Sequence, residues 1–582
     1  MQTRDKEKQA RTQIIRRLAC CLGLGLGVLL GLDPFKSILA GTLAAISLIL
    51  LSEELRGESY NSIAIWSTLA SLSVGAFAFQ WVAVALANIT QLPWVIAILS
   101  AALHSVLLNL KIPLFLFGAH ALRARGALDS AGFGYALLAL LGDLATYQIF
   151  PWFFGNLQGG NILLIQAARI AGVYGVSFLL FLQAALLLFF ARRMQAKLRK
   201  EKPEPVSQSV GALAAILLFA YGYGVYRLTT PVESGRSVHI AYIQPATQMA
   251  LSKYKDDNAA ASAALNEVFN LSLKSLGDAG GEADLLILPE SSIPFLGTDP
   301  SDENRAKGVY STTFHAVIAF LSRAASVDVL YNELNFREGK LYNQATVFGR
   351  EGQRRGSYDK QQLVPFGEHL PLEEWLPIRK LFPEASNYAQ GKSPGLLEYR
   401  KRLARARLQP ISPADLDRLR DANLVLANWP AEPPGESGYL TPLVCYEGMF
   451  PELVRRSMLL PTEPDFHVNI ANDSWFGDYL ENAQHSGAVR FRSIETGKHL
   501  VRITLTGVST VFTPWGMNLI PESKPGEKAV GNVVIPLQSP HRTPYVNFGN
   551  VPNWMLVGFG LLALILPVYR KKVTPAPSKR RA

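Results

Sequence analysis

The sequence predicts a multi-span α-helical membrane protein that carries one large α/β domain with mixed sheets. Three observations predict this class. The chain has 582 residues, too many for one compact domain. It is 49% hydrophobic, and its apolar residues gather into long uncharged runs within 14–228 and again at 555–569; a helix needs about 20 such residues to cross a bilayer. Between 232 and 545 the apolar runs shorten to strand length and alternate with helical spacing. The expected division is therefore an N-terminal transmembrane domain of about seven helices, 1–231, a water-facing domain, 232–545, and a C-terminal helix with a basic tail, 546–582.

The expected spans are about 14–33, 36–52, 64–86, 93–118, 131–150, 169–191, 210–228 and 552–569. The fourth is interrupted by Lys111 and Pro113. The first is an anchor rather than a cleaved signal: no small-x-small site precedes a polar start, and another span follows at once. Basic residues set the orientation. Arg4, Lys6, Lys8, Arg11, Arg16 and Arg17 precede span one. Arg56 follows span two, Arg123 and Arg125 follow span four, and Arg192, Arg193, Lys197, Arg199, Lys200 and Lys202 follow span six. The tail carries Arg570, Lys571, Lys572, Lys579, Arg580 and Arg581. Seven spans and then one put all of these in the cytoplasm, so 232–545 faces outward, into the periplasm of a two-membrane bacterium.

The net charge is +11, with a pI near 9.4 and a mean hydropathy of +0.15. Cytoplasmic loops and tails account for much of the basic excess, and no zinc-finger spacing or RNA-binding signature accompanies it, which argues against a nucleic-acid partner. No HExxH or paired-cysteine spacing points to a metal, and no GxxxxGK[ST] loop points to a nucleotide, so no cofactor is expected. Of the three cysteines, Cys20 and Cys21 lie in span one. Cys445 is then alone in an oxidising compartment, where an unpaired thiol is either buried or used.

In the outward domain, "SVHIAYIQP" (237–245) reads as a strand ending in a turn, and 258–277 has helical spacing. "ADLLILPESSIP" (283–294) is a buried-type strand stopped at Pro289 and Glu290. A helix near 312–325 leads to the strand "VDVLYNELNF"; residues 341–360 form a hairpin turning at Arg350–Gly352. "LTPLVCYEGMFPELVRRS" is strand, elbow and helix, and "DFHVNIANDSWFG" is a strand ending in a loop. A helix over about 481–497 precedes the hairpin "HLVRITLTGVSTVFTPWG". Residues 394–437 depart from this rhythm, with Arg400, Lys401, Arg402, Arg405 and Arg407 followed by a Pro/Gly-rich exit, and read as an insert.

Three reactive groups follow strands: Glu290 after "LLILP", Lys360 after "GSYD" and Cys445 after "TPLV". Singly, each is an ordinary loop acid, surface lysine or buried cysteine. Together, "LPESSIP", "YDKQQLVPFGE" and "VCYEGMFPE" resemble the Glu-Lys-Cys triad of the nitrilase (carbon–nitrogen hydrolase) superfamily. "LVPFGEHLPLE", "NIANDSWFGD", "QHSGAVRFRSIETGKHLVRITLTGVS" and "FPWFFGNLQ" are similar to one branch, the bacterial apolipoprotein N-acyltransferases, as is the seven-plus-one span count. The interval from Lys360 to Cys445 is longer than that pattern because of the insert.

The resemblance implies an αββα sandwich inserted in a membrane domain of about eight helices. It implies Glu290, Lys360 and Cys445 as catalytic residues, with Glu368, Tyr446 and Glu447 supporting them. A buried glutamate with a raised pKa suits proton shuttling to and from a thiol. Lys360 and the Tyr446 N–H suit a developing oxyanion, and Glu368 would hold Lys360 charged. The implied reaction is ping-pong. A phospholipid, phosphatidylethanolamine by family resemblance, acylates Cys445, and the thioester then passes its acyl group to the α-amine of a diacylglyceryl-cysteine on an apolipoprotein. Two other readings are a membrane-anchored nitrilase-type amidase and a non-catalytic scaffold. The multi-span bundle argues against the first and the intact triad against the second. The aromatic stretch 151–166 reads as an arm at the bilayer surface or a long loop. Trp475 and Phe476 read as an acyl channel or as core.

Overall fold

The computed structural model describes residues 2–90, 93–107, 109–128, 132–230, 235–247, 258–371, 373–375, 377–380, 386–401, 435–477 and 480–573. The chain divides into two compact units, one of 1–83, 94–230 and 547–582, the other of 84–93 and 231–546. Most of the 394–437 insert, 402–434, lies outside the described residues.

The first unit is helical. Its helices begin with α1 (Gln2–Gly31), α2 (Ile38–Glu54), α3 (Tyr60–Ala78) and α4 (Trp81–Thr90), whose last residues belong to the second unit. They continue with α5 (Trp94–Leu107), α6 (Lys111–Ala124), α7 (Phe133–Ala145), α8 (Ala168–Leu198), α9 (Gln208–Thr229) and a C-terminal helix, Val551–Val573. Ser37, Ser59 and Ser207 cap α2, α3 and α9, each accepting a backbone N–H three residues on. Among the described residues, five helical segments are long and apolar enough to cross a membrane: Glu7–Gly31, Tyr60–Ala78, Trp94–Ala124, Leu164–Leu198 and Gln208–Thr229. Phe133–Ala145 and Val551–Leu566 are shorter apolar helices.

One expected span is broken: the run 64–86 is interrupted at Phe79–Gln80, where α3 ends and α4 begins. The run 93–118 falls on the single apolar segment Trp94–Ala124, in which Lys111 opens α6 and Pro113 sits in its first turn, a place where a missing N–H costs nothing. Lys111 is fully buried, and its Nζ lies 3.0 Å from Asp143 Oδ1, donates to Trp152 O and sits 3.5 Å from the centroid of the Trp152 ring. Asp143 Oδ2 accepts from the Phe154 N–H at 2.9 Å and from Ser177 Oγ at 2.6 Å. Charges in an apolar bundle are tolerated when paired in this way. The pair holds the segment 151–158, which is buried throughout within this unit.

The second unit contains two sheets. The first has the order β11-β1-β2-β3-β4-β5, from β1 (Arg236–Gln244), β2 (Leu285–Ile287), β3 (Asp328–Arg337), β4 (Lys340–Gly349), β5 (Gln353–Asp359) and β11 (Ala529–Leu537). The second has the order β10-β9-β8-β7-β6, from β6 (Leu397–Arg400), β7 (Ser437–Val444), β8 (Phe466–Ala471), β9 (Leu500–Thr504) and β10 (Thr510–Phe512). β1, β2 and β3 are parallel, as are β7, β8 and β9; the flanking strands are antiparallel. Parallel neighbours need crossovers, and these are helical. α10 (Asn258–Asp278) lies between β1 and β2, and α11 (Asp302–Ala306) and α12 (Thr312–Ala324) between β2 and β3. α13 (Pro451–Ser457) lies between β7 and β8, and α14 (Leu480–Thr496) between β8 and β9.

Val268 and Phe269 of α10 and Phe314 and Ile318 of α12 pack on Ile243, Leu286 and Val329 of the first sheet. Val489 of α14 packs on Leu500 and Phe512 of the second. Polar contacts tie the sheets together, among them Arg236 Nη2 to Asp465 Oδ1 at 3.0 Å and Thr504 Oγ1 to Gln244 Oε1 at 3.3 Å. The unit is thus an α/β fold in which helices cover two joined sheets.

Candidate active site

Glu290, Lys360 and Cys445 each follow a strand, β2, β5 and β7 respectively. Beyond β2 the chain continues through Leu288, whose N–H reaches Leu330 O at 2.8 Å, and turns at Ser291, where φ is 56°. The Ser291 N–H is held by Asn332 Oδ1 at 2.9 Å. Lys360 leaves β5 with its N–H on Asn343 O at 2.9 Å. At Cys445 the strand breaks into a short 3-10 turn, Cys445–Met449. Cys445 has φ 54°, a left-handed conformation that costs a non-glycine residue about 1–3 kcal/mol and persists only where surroundings enforce it.

The structure brings the first group of residues into direct contact. Lys360 Nζ lies 3.2 Å from Glu290 Oε1 and 2.9 Å from Glu368 Oε1. Asn343 Nδ2 donates to the same two oxygens at 3.0 Å each. Glu368 Oε2 accepts from the Val364 N–H at 2.9 Å, within the loop "VPFGE". Cys445 enters through Asn472. The Asn472 N–H donates to Glu290 Oε2 at 3.0 Å, and its carbonyl lies 3.9 Å from Cys445 Sγ. One residue's backbone therefore holds both the carboxylate and the thiol. Glu290, Lys360, Glu368 and Cys445 are all buried.

Electrostatics follow from this burial. Burial pushes the Glu290 carboxyl up, with Lys360 opposing and Glu368 adding to the shift. Burial opposes the charge on Lys360, but Glu290 and Glu368 more than offset it and hold the ammonium well above the usual lysine range. The Cys445 thiol is raised well above its ordinary value by burial and by Glu290, with Lys360 pulling the other way. The thiol is therefore neutral at rest, and a base has to take its proton during the reaction rather than before it.

Glu447 joins the segments that carry Lys360 and Cys445. Its Oε1 accepts from Tyr358 Oη at 2.8 Å and from the Gln361 and Gln362 N–H groups at 2.6 and 3.2 Å. Its Oε2 accepts from the Val444 N–H at 2.7 Å. It thus clamps the Lys360 end of the first sheet to the Cys445 elbow of the second. Burial raises its carboxyl to about 7, with these backbone donors opposing. The Tyr446 ring packs edge-on against Phe450, with centroids 4.8 Å apart. Phe476 is buried, while the Trp475 side chain lies outside the described residues. Asn343 and Asn472 escaped the sequence reading. Each is an ordinary strand or loop asparagine by its neighbours, and "NDSWFG" was the only signal near Asn472.

Residues 240–542 match the family model described as Carbon-nitrogen hydrolase, and residues 24–186 match that described as Apolipoprotein N-acyltransferase N-terminal domain. The apolipoprotein N-acyltransferase 1 of Leptospira interrogans is 34% identical over 577 residues, covering 96% of this chain and 98% of that protein. The apolipoprotein N-acyltransferase of Geobacter metallireducens is 28% identical over 506 residues, covering 86% of each. Among solved structures, an amidase from Nesterenkonia sp. matches at 17% identity with a TM-score of 0.33, covering 53% of this chain and 94% of that one. Because the likeness takes in the helical half as well as the hydrolase half, and runs through nearly the whole of both chains, this protein belongs to the apolipoprotein N-acyltransferase family, acyltransferases of lipoprotein biosynthesis within the nitrilase superfamily.

Proposed function

We propose that this chain moves an acyl group from a membrane phospholipid to the N-terminal α-amine of a diacylglyceryl-cysteine on an apolipoprotein, through a thioester on Cys445. In the first half-reaction the Cys445 sulfur attacks the phospholipid ester carbonyl as Glu290 takes the thiol proton. The tetrahedral oxyanion is met by Lys360 Nζ and the Tyr446 N–H. The C–O bond then breaks, Glu290 returns the proton to the departing lysophospholipid, and a thioester remains. In the second half-reaction the acceptor amine attacks the thioester, Glu290 takes its proton, and the C–S bond breaks. The proton returns to sulfur and the product is an amide. The thioester keeps the acyl group activated, so no nucleotide is needed.

The observation that supports this reading most directly is the shared hold of Asn472 on Glu290 and Cys445 beside a buried, charged lysine. Phosphatidylethanolamine is the donor we expect. A nitrilase-type amidase would use the same groups, and the match of residues 24–186 to the acyltransferases' N-terminal domain favours transfer. The test is to offer phospholipid and then a thiol alkylator. Cys445 is expected to be protected by a lipid-derived acyl group and to regain reactivity once a diacylglyceryl-cysteine peptide is added. Alkylation unaffected by phospholipid would exclude the transferase mechanism.

We also propose eight spans, with 232–545 in the periplasm, on the strength of the basic residues that follow spans two, four, six and eight. A reporter active only in the periplasm is expected to work when fused after residue 231 and to be silent after residue 202. The reverse pattern would overturn both the span count and lipoprotein acylation at this site.

A further inference from the structure

The elbow that carries Cys445 rests on a buried ionic cluster. Leu443 of β7, Asn469 of β8 and Arg502 of β9 stand opposite one another across three parallel strands. Arg502 is fully buried, at 0% exposure, where an unpaired guanidinium would be costly. Its Nη1 donates to Asn469 Oδ1, and its Nη2 lies 2.7 Å from Asp473 Oδ2. Asn469 passes the contact on: its Nδ2 donates to Leu443 O at 3.2 Å and to Cys445 O at 2.9 Å. Asp473 is the next residue after Asn472, which holds Glu290 and Cys445.

The far side of Asp473 is also occupied. Its Oδ1 lies 3.2 Å from His485 Nδ1 on α14, which in turn lies 3.4 Å from Glu481 Oε1. Burial alone would raise the Asp473 carboxyl, but Arg502 and His485 hold it below the usual range, so it is ionised. Gly507 lets the chain pass close by: a Cβ there would meet Asp473 Oδ2 at 2.1 Å.

We propose that Arg502 is a positioning residue for the acylation step, its two guanidinium arms fixing, through Asn469 and Asp473, the backbone groups that aim the Cys445 thiol and the Glu290 carboxylate. One arm holds the Cys445 carbonyl at a residue whose φ of 54° the strand would not adopt by itself. The other anchors the loop whose first residue, Asn472, carries both the thiol's acceptor and a donor to Glu290. A planar fork can serve both arms at once, whereas a lysine offers one ammonium and can satisfy only one of them fully.

This inference rests on Cys445 as nucleophile and Glu290 as base. If that reading fails, Cys445→Ala and Glu290→Gln retain activity, a result that does not involve Arg502. The test measures acyl-enzyme formation against phospholipid concentration in the full-length protein in detergent or nanodiscs, together with thermal stability. Arg502→Lys and Asn469→Ala are each expected to lower the limiting rate about 100-fold, as misplacement by about 1 Å does, with the half-saturating phospholipid concentration unchanged. Because both act on one elbow, the double variant is expected to be little slower than the slower single variant. A limiting rate within about twofold of the parent, a loss confined to thermal stability or to half-saturation, or multiplicative effects in the double variant would overturn the proposal. If Arg502→Lys does not accumulate, Asn469→Ala decides alone by its limiting rate, since it leaves the Arg502–Asp473 pair in place.

Discussion

Cys445→Ala is expected to abolish acyl transfer while the protein still inserts and folds. The effect should be about 10⁶-fold, the scale seen when a nucleophile that works as one unit with its base is removed. Cys445 is 6% exposed and small, and alanine fits its place without adding volume, so stability should change little. Serine should fail almost as completely. A hydroxyl is a far weaker nucleophile at this pH than a thiol, and an oxoester would not hand its acyl group to an amine as a thioester does. Covalent capture of radiolabelled acyl groups, run beside the membrane-inserted amount, checks both variants. Near-normal transfer by the alanine variant would remove Cys445 from the nucleophile's role.

Glu290→Gln should lower acyl-enzyme formation by about 10²–10⁴-fold, the usual worth of a positioned acid–base group. Its shape is preserved, and Oε1 can still accept from Asn343 and Lys360, while the amide Nε2 cannot replace Oε2 as acceptor of the Asn472 N–H. A second measurement separates proton transfer from electrostatics. The Glu290 charge is one of the causes that raise the Cys445 thiol, while Lys360 lowers it. Without the carboxylate, alkylation of Cys445 should shift to lower pH even as acylation slows. An electrostatic role alone would make acylation faster, because more thiolate would be present. In the parent protein the acid limb of the pH profile should lie above the ordinary glutamate range, because burial raises Glu290 and the base must be ionised to accept a proton. That limb should vanish in the glutamine variant.

Local pattern carried much of the hydrolase fold. The alternation in 341–360 with its turn at Arg350–Gly352 matches β4 and β5, and the helical spacing in 258–277 and 481–497 matches α10 and α14 within a residue. β11 was not legible. "AVGNVVIPL" carries Gly531 and Asn532 in its middle, and it becomes a strand by pairing along the whole of β1. The expected span 64–86 reads as a single helix because hydropathy averages over a window, and the break at Phe79–Gln80 does not change that average.

The sequence by itself determined the class of protein and the strand ends on which Glu290, Lys360 and Cys445 stand, because each depends on a residue's immediate neighbours. Only the tertiary structure decided what holds them. Glu447 clamps the Lys360 and Cys445 segments together. Asn472 meets Glu290 from 182 positions away in the chain, and Asn469 faces Arg502 only through the register of β8 against β9. Burial then sets which of these groups is charged. No local pattern encodes such pairings, because they arise when distant strand ends converge and exclude water, and the same asparagine or arginine in a solvated loop would have no fixed partner.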